Sequence, residues 1–322
     1  MTSRLADTAR FVLGSAMRLL PALRRTKTRG LTIFVFHDVT ESPSEFAREH
    51  GLYIEPERFH RQIAWIESEF RVAHPDELVT GNSRNLSGAA IISFDDGWAG
   101  TFRNALPILE ARGLPSVLFL NPGPIVEGRP TISAEAIFLS RQRPDFVALA
   151  GEFSLSSPSH LTIHPRLLAG FEARAGRDWH AAAIEYQGAL ADRAALERWG
   201  GNPLVRYGSH LYEHWNSCAL TDAEFGDQFT KGFEALRSYP GFLPLLAFPN
   251  GRPGLAYGPK HVMLAKQLGA KRVFSGLSVI NPDANAFELH RVSLARDDWA
   301  YATMWFRLGR QQLLPAAPDT GY

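Results

Sequence analysis

Two adjacent carboxylates, Asp95 and Asp96, end an apolar run and precede Gly97. Such a pair can divide the labour of a hydrolysis, one carboxylate binding a metal ion while the other takes a proton from a nearby water. The same residues also suit a plain strand-ending turn, where Asp and Gly are favoured. His210 and His214 stand four residues apart. On a helix that spacing puts both imidazoles on one face, and a compact turn can also bring them together. The alternative is two separately hydrogen-bonded histidines. With Asp96 they complete an Asp-His-His set, the number of protein ligands that a catalytic zinc site uses while keeping a fourth position for water or substrate. His37 ends another apolar run and is followed by Asp38, a carboxylate neighbour able to keep the imidazole cationic, as a general acid requires. Pro249-Asn250-Gly251 reads first as a turn and offers the Asn250 backbone N–H to an oxyanion.

The elements that must position these residues are legible as a repeating pattern. After Gly30, β-rich runs at 31–36, 89–94, 116–120, 204–207, 245–248, 272–274 and 289–294 are interspersed with helical patterns at 56–70, 99–112, 222–237 and 259–268. Apolar strands separated by helices predict a parallel α/β sheet covered by helices, either open and doubly wound or closed into a barrel. The number of units favours the barrel. In both architectures the carboxyl ends of the strands share one face, where active sites assemble. His37, Asp95-Asp96, His210 and Asn250 all follow such ends, so they are expected to meet. Residues 122–200 break the rhythm, with helical patches at 134–140, 165–175 and 193–199, and are expected to form a mostly helical insertion over the barrel mouth.

With 322 residues, 45% apolar and 21% charged, the chain can bury one large core or two modest ones and is too apolar to be disordered. The formal net charge of +1 excludes a nucleic-acid binder driven by bulk charge. Residues 1–29 hold seven basic side chains against Asp7, leaving 27 basic and 32 acidic residues elsewhere. Their apolar positions fall on one helical face, which predicts a basic amphipathic helix that Pro21 kinks or ends. Such a helix either lies in an anionic membrane surface or packs its stripe on the protein's own body. No run is long enough to span a bilayer, and no small-residue cleavage site follows the apolar stretch, so a cytoplasmic location is expected, peripheral at the inner membrane surface in the case where the helix lies in it. Cys218 is the single cysteine, so neither an intrachain disulfide nor a cysteine-built zinc site is possible. Any metal must be held by His and carboxylate.

The motifs together resemble the polysaccharide deacetylases with a NodB-like domain. Ser93-Phe94-Asp95-Asp96-Gly97 resembles the family's first motif and His210-Leu211-Tyr212-Glu213-His214, within a Gly-Ser-His context, its second. Phe248-Pro249-Asn250-Gly251 is loosely similar to the third. Phe36-His37-Asp38 resembles the His-Asp motif that usually comes last but here comes first, an order similar to the circularly permuted poly-N-acetylglucosamine deacetylases. The resemblance covers about residues 31–121 and 204–296. It implies a distorted (β/α)7 barrel spanning 30–310, with the insertion between the second and third motif-bearing strands, and a tail at 311–322. It also implies Asp95 as general base, His37 as general acid, and Asp96, His210 and His214 as ligands of a divalent metal, usually zinc. Such a ligand set also accepts cobalt, nickel or manganese. The implied reaction is N-deacetylation of an amino-sugar glycan. One departure stands out: Ala247 occupies the place of the third motif's Arg, which orients the base, and Arg291 is the replacement candidate. Supporting roles fall to Asn250 and Asp38. Two rivals remain, a carbohydrate-binding protein that has lost turnover and a metal hydrolase of the same fold acting on another C–N bond.

Overall fold

The computed structural model describes residues 30–80, 86–155 and 158–294. The amphipathic segment expected at 1–29 and the tail at 311–322 lie outside the described residues. Among those residues, no helix is long and apolar enough to cross a membrane.

The barrel strands, in chain order, are β1 (Thr32–Phe36), β2 (Ala89–Phe94), β3 (Ser116–Leu120), β4 (Val205–Ser209), β5 (Phe242–Ala247), β6 (Arg272–Ser275), β7 (Glu288–His290) and β8 (Val292–Ser293). All pair in parallel in the order β7-β6-β5-β4-β3-β2-β1-β8. Because β7 and β8 are one stretch of chain interrupted at Arg291, the two ends of the sheet meet in that stretch. The expected single strand at 289–294 is thereby corrected: it switches neighbours at Arg291, pairing with β6 before it and with β1 after it. The result is a seven-unit (β/α) barrel.

Side-chain alternation sorts each strand into an inner and an outer row. Ile33, Ile91, Val117, Phe119, Leu245, Phe274 and Leu289 pack together as the inner cluster. Residues of opposite parity, including Phe34, Phe36, Ile92, Phe94 and Leu118, pack outward with helix α2 (Pro56–Glu69), which follows the short helix α1 (Glu45–His50), and the Phe36 and Phe59 rings meet edge-on at 5.1 Å.

Two local expectations shift. The strand read at 245–248 begins at Phe242, because the chain accommodates Pro244 where the ladder with β4 bulges between its Tyr207↔Phe242 and Ser209↔Leu246 pairs. A residue without an N–H is tolerated at such an irregularity. The helix read at 99–112 opens as a π-helical stretch over Thr101–Ala105 and becomes α3 only at Leu106–Ala111. Pro107, lacking a donor, prevents a regular ladder through that junction.

Among its described residues the insertion carries six helices: α4 (Pro122–Glu127), α5 (Ile132–Gln142), α6 (Pro144–Glu152), α7 (Pro165–Ala175), α8 (His180–Gln187) and α9 (Arg193–Gly200). Ile132, Phe146, Leu167, Phe171 and Trp179 share a core with Leu211, Trp215, Phe225 and Phe229. That packing seats the insertion against α10 (Asp222–Arg237) and the segment bearing the two histidines.

Candidate active site

Strand parity aims the functional residues. His37 continues the inner row of Ile33 and Val35, Asp95 that of Ile91 and Ser93, and Arg291 that of Leu289. His37, Asp95, Asp96, His210, His214, Asn250 and Arg291 accordingly line one cavity of about 380 Å³, with Thr131, Ser133 and His160 of the insertion on its wall. Asp38, one residue out of phase with His37, does not reach it. Its carboxylate lies against Gly100, where an added Cβ would fall 2.1 Å from Asp38 Oδ1. Burial raises this carboxyl to about 6, opposed by the N–H groups of Gly100 and Val39 and the charge of Arg103. The expectation that Asp38 supports His37 is therefore corrected, because adjacent residues on an extended chain face opposite sides.

His210 and His214 converge through a turn, not a helix. Leu211 and His214 adopt left-handed backbone, with φ of 60° and 64°, as do Asp96 and Asn250 at 69° and 62°. These are four of five such non-glycine residues in the described chain. Backbone conformations of this kind cost free energy and persist where surrounding structure imposes them, commonly at functional sites. Gly97 takes a φ of 86°, and a Cβ there would meet Ile125 Cδ1 at 2.8 Å.

Each member of the Asp-His-His set is held at its far atom. His210 Nδ1 lies 2.8 Å from the Ala247 carbonyl. A carbonyl only accepts, so Nδ1 carries the proton and Nε2 is left with its lone pair. His214 Nδ1 lies 2.7 Å from Ser133 Oγ, and Asp96 Oδ2 accepts from Trp98 Nε1 at 2.9 Å. The near atoms then face one another, with Asp96 Oδ1 3.3 Å from His214 Nε2 and 3.6 Å from His210 Nε2. Asp96 Oδ1 is buried without a hydrogen-bond partner. Donor atoms about 3.4 Å apart suit a tetrahedral ion bonded at about 2.1 Å, so these residues fit a divalent metal.

Asp95 is gripped by Arg291, Nη1 to Oδ1 at 2.5 Å and Nη2 to Oδ2 at 2.8 Å. Arg291 Nε donates to the Ser275 carbonyl at 3.2 Å, and its guanidinium lies 5.2 Å from the Phe119 ring centroid. Burial opposes ionisation of Asp95, but Arg291, then His210 and His37, hold it below the usual carboxylate range. Burial likewise opposes ionisation of Asp96, which His214, His37 and His210 hold far below that range. Burial carries His210 down to about 4 despite Asp95 and Asp96, so its ring is neutral at neutral pH.

Three supporting residues escaped the sequence reading. Trp98 follows the paired carboxylates by two positions and carried no sign of its role. Ser133 lies in the irregular 122–200 region, where nothing tied it to a histidine 81 residues away. Asn121 was findable, since it is the polar residue ending β3, and its side-chain amide donates to the carbonyl of Leu211 at 3.2 Å and to that of His210.

No protein-family model and no curated protein matches the chain. Solved structures do. IcaB from Ammonifex degensii aligns at a TM-score of 0.57 and 18% identity over 87% of this chain and 97% of that one. A Streptococcus pyogenes deacetylase, PplD, in complex with acetate, aligns at 0.57 and 13% identity over 87% and 98%. A polysaccharide deacetylase from Bacillus cereus aligns at 0.54 and 10% identity over 87% and 69%. At these identities the likeness is one of architecture, and it agrees with the barrel strands and their order: the chain has the fold of the polysaccharide deacetylases.

Proposed function

We propose that the protein is a metal-dependent hydrolase that removes N-acetyl groups from an amino-sugar glycan and releases acetate. The observation that carries this reading is the side-by-side placement of an arginine-held carboxylate, Asp95, and a buried three-donor set, Asp96, His210 and His214, in one cavity. Zinc is the proposed metal, because two imidazoles and one carboxylate with an open position suit it.

Asp96, His210 and His214 would hold a divalent ion, whose Lewis acidity would acidify water and polarise an acetamide carbonyl. Asp95, kept ionised by Arg291, accepts the proton of the attacking water through a carboxylate oxygen. As the C–O bond forms, Asn250, at the cavity wall, offers its backbone N–H to the developing oxyanion. His37 gives its proton to the departing amine nitrogen as the C–N bond breaks. Its ring lines the cavity from β1, next to β2, which carries Asp95. The rival without turnover rested on the missing Arg at Ala247. Arg291 reaches Asp95 from the closing strand, and the Ala247 carbonyl instead fixes His210.

The deciding measurement is acetate release from N-acetylglucosamine oligomers by purified protein, before and after chelation and after zinc return. Release that disappears on chelation and recovers with zinc is expected. Glycan binding with no acetate under any of the three conditions would overturn the enzymatic reading.

A further inference from the structure

The insertion contains a second cluster of metal-ligating side chains, away from the cavity. Glu135 on α5, Glu172 on α7 and His180 at the start of α8 present one ligand atom each, all within 4.8 Å of one another. His180 Nε2 lies 3.5 Å from Glu135 Oε1 and 3.9 Å from Glu172 Oε1. These separations are too long for good N–H···O hydrogen bonds. They lie close to the spacing of about 3.4 Å between donors of a tetrahedral ion, and to the 3.3 and 3.6 Å found in the Asp96 set.

Burial makes the arrangement costly as it stands. Glu135 is 2% exposed, and its Oε1, aimed at the cluster, has no hydrogen-bond partner. His180 Nε2 is equally buried and has none either. Burial raises the Glu135 carboxyl against the influence of His180 and Arg129, and a cation between its Oε1 and the Glu172 carboxylate would offset that cost. Glu172 is already oriented, because its Oε2 accepts from Arg177 Nη2 at 2.6 Å while Oε1 turns to His180. The Trp179 ring meets the His180 ring edge-on at 4.2 Å and restricts its rotation.

We infer that Glu135, Glu172 and His180 form a second divalent-cation site, of the type that takes zinc, joining helices α5, α7 and α8 of the insertion. Three helices separated in sequence share the ion, so it adds a cross-link to the apolar core that these helices already share. Helix α5 also carries Ser133, the partner of His214, so the ion steadies the helix that supports the candidate active site.

The inference is independent of the proposed reaction and is tested by counting metal. The full-length protein is loaded with zinc, dialysed and assayed by elemental analysis. Wild type is expected to hold two equivalents and His210→Ala one. Adding His180→Ala or Glu172→Gln to His210→Ala should remove the remaining equivalent. Glu172→Gln changes a partly exposed carboxylate and guards against a folding failure at His180. Chelation should also lower the Tm of His210→Ala and leave that of the doubly substituted protein unchanged. No zinc in folded His210→Ala, or one equivalent persisting after either second substitution, would overturn the site; loss of acetate release alone would not bear on it.

Discussion

The Arg291 guanidinium spans both oxygens of Asp95 although 196 residues separate them, and it does so from the break in the strand that closes the barrel. Both side chains are buried, Arg291 at 2% and Asp95 at 4% exposure, so neither charge is tolerable without the other. The pairing fixes the carboxylate's orientation and its ionisation together. Arg291→Ala should therefore cost about 3–5 kcal/mol of stability. Where the variant folds, the Asp95 carboxyl loses its main lowering influence and its pKa rises. The acidic limb of the rate profile should move to higher pH, and an unmoved limb would separate Arg291 from the base.

His210→Ala and His214→Ala each delete one of the three proposed metal ligands. Zinc at this site and acetate release should be lost together in both, by at least about a hundredfold in rate, as expected when a metal-assisted step is removed. Asp95→Asn should keep the metal and lose turnover. Full zinc retention in both histidine variants would place the metal elsewhere.

Ser133→Ala removes the partner of His214 Nδ1 without touching a ligand atom. Substitutions of this kind weaken metal affinity by about 10–100-fold. Activity should fall at limiting zinc and recover at saturating zinc, and a titration following acetate release distinguishes this from a direct effect on rate.

His37→Ala should keep bound zinc and lose the basic limb of the pH profile, since the proposed proton donor to the amine is gone. The acidic limb, belonging to Asp95, should remain. If the basic limb survives, the proton comes from another group in the cavity.

Asp38 makes a prediction for stability against pH. Its folded pKa of about 6 lies above its ordinary value of 3.8, so the native state holds the proton more tightly than the unfolded chain does. The destabilisation is absent below pH 3.8, grows as pH rises, and is complete above about 6. The rise from 3.8 to about 6 corresponds to about 3 kcal/mol. The stability of Asp38→Asn relative to wild type should improve by up to that amount between about pH 4 and about pH 7, measured by denaturant unfolding. A difference that does not vary with pH would mean that Asp38 titrates normally.

Much of the barrel was legible because its signals are local. Apolar strands announce themselves in a few residues, and polar residues at strand ends point to the shared carboxyl face, so Asp95, Asp96, His210, His214, His37 and Asn250 could be gathered before any contact was known. Asp38 was misjudged for a reason that is also local. Strand alternation implies that it opposes His37, but only the closed barrel decides which parity is interior. The remaining features are non-local. Arg291 reaches Asp95 because barrel closure brings the last of the described strands beside β1, one strand from Asp95. Ser133 reaches His214 because the insertion folds back over the barrel mouth. Glu135, Glu172 and His180 come from three helices whose sequence periodicities reveal only that each buries a face. Local backbone preference writes elements and strand ends into the sequence, whereas the pairing of buried charges depends on how those elements close in space.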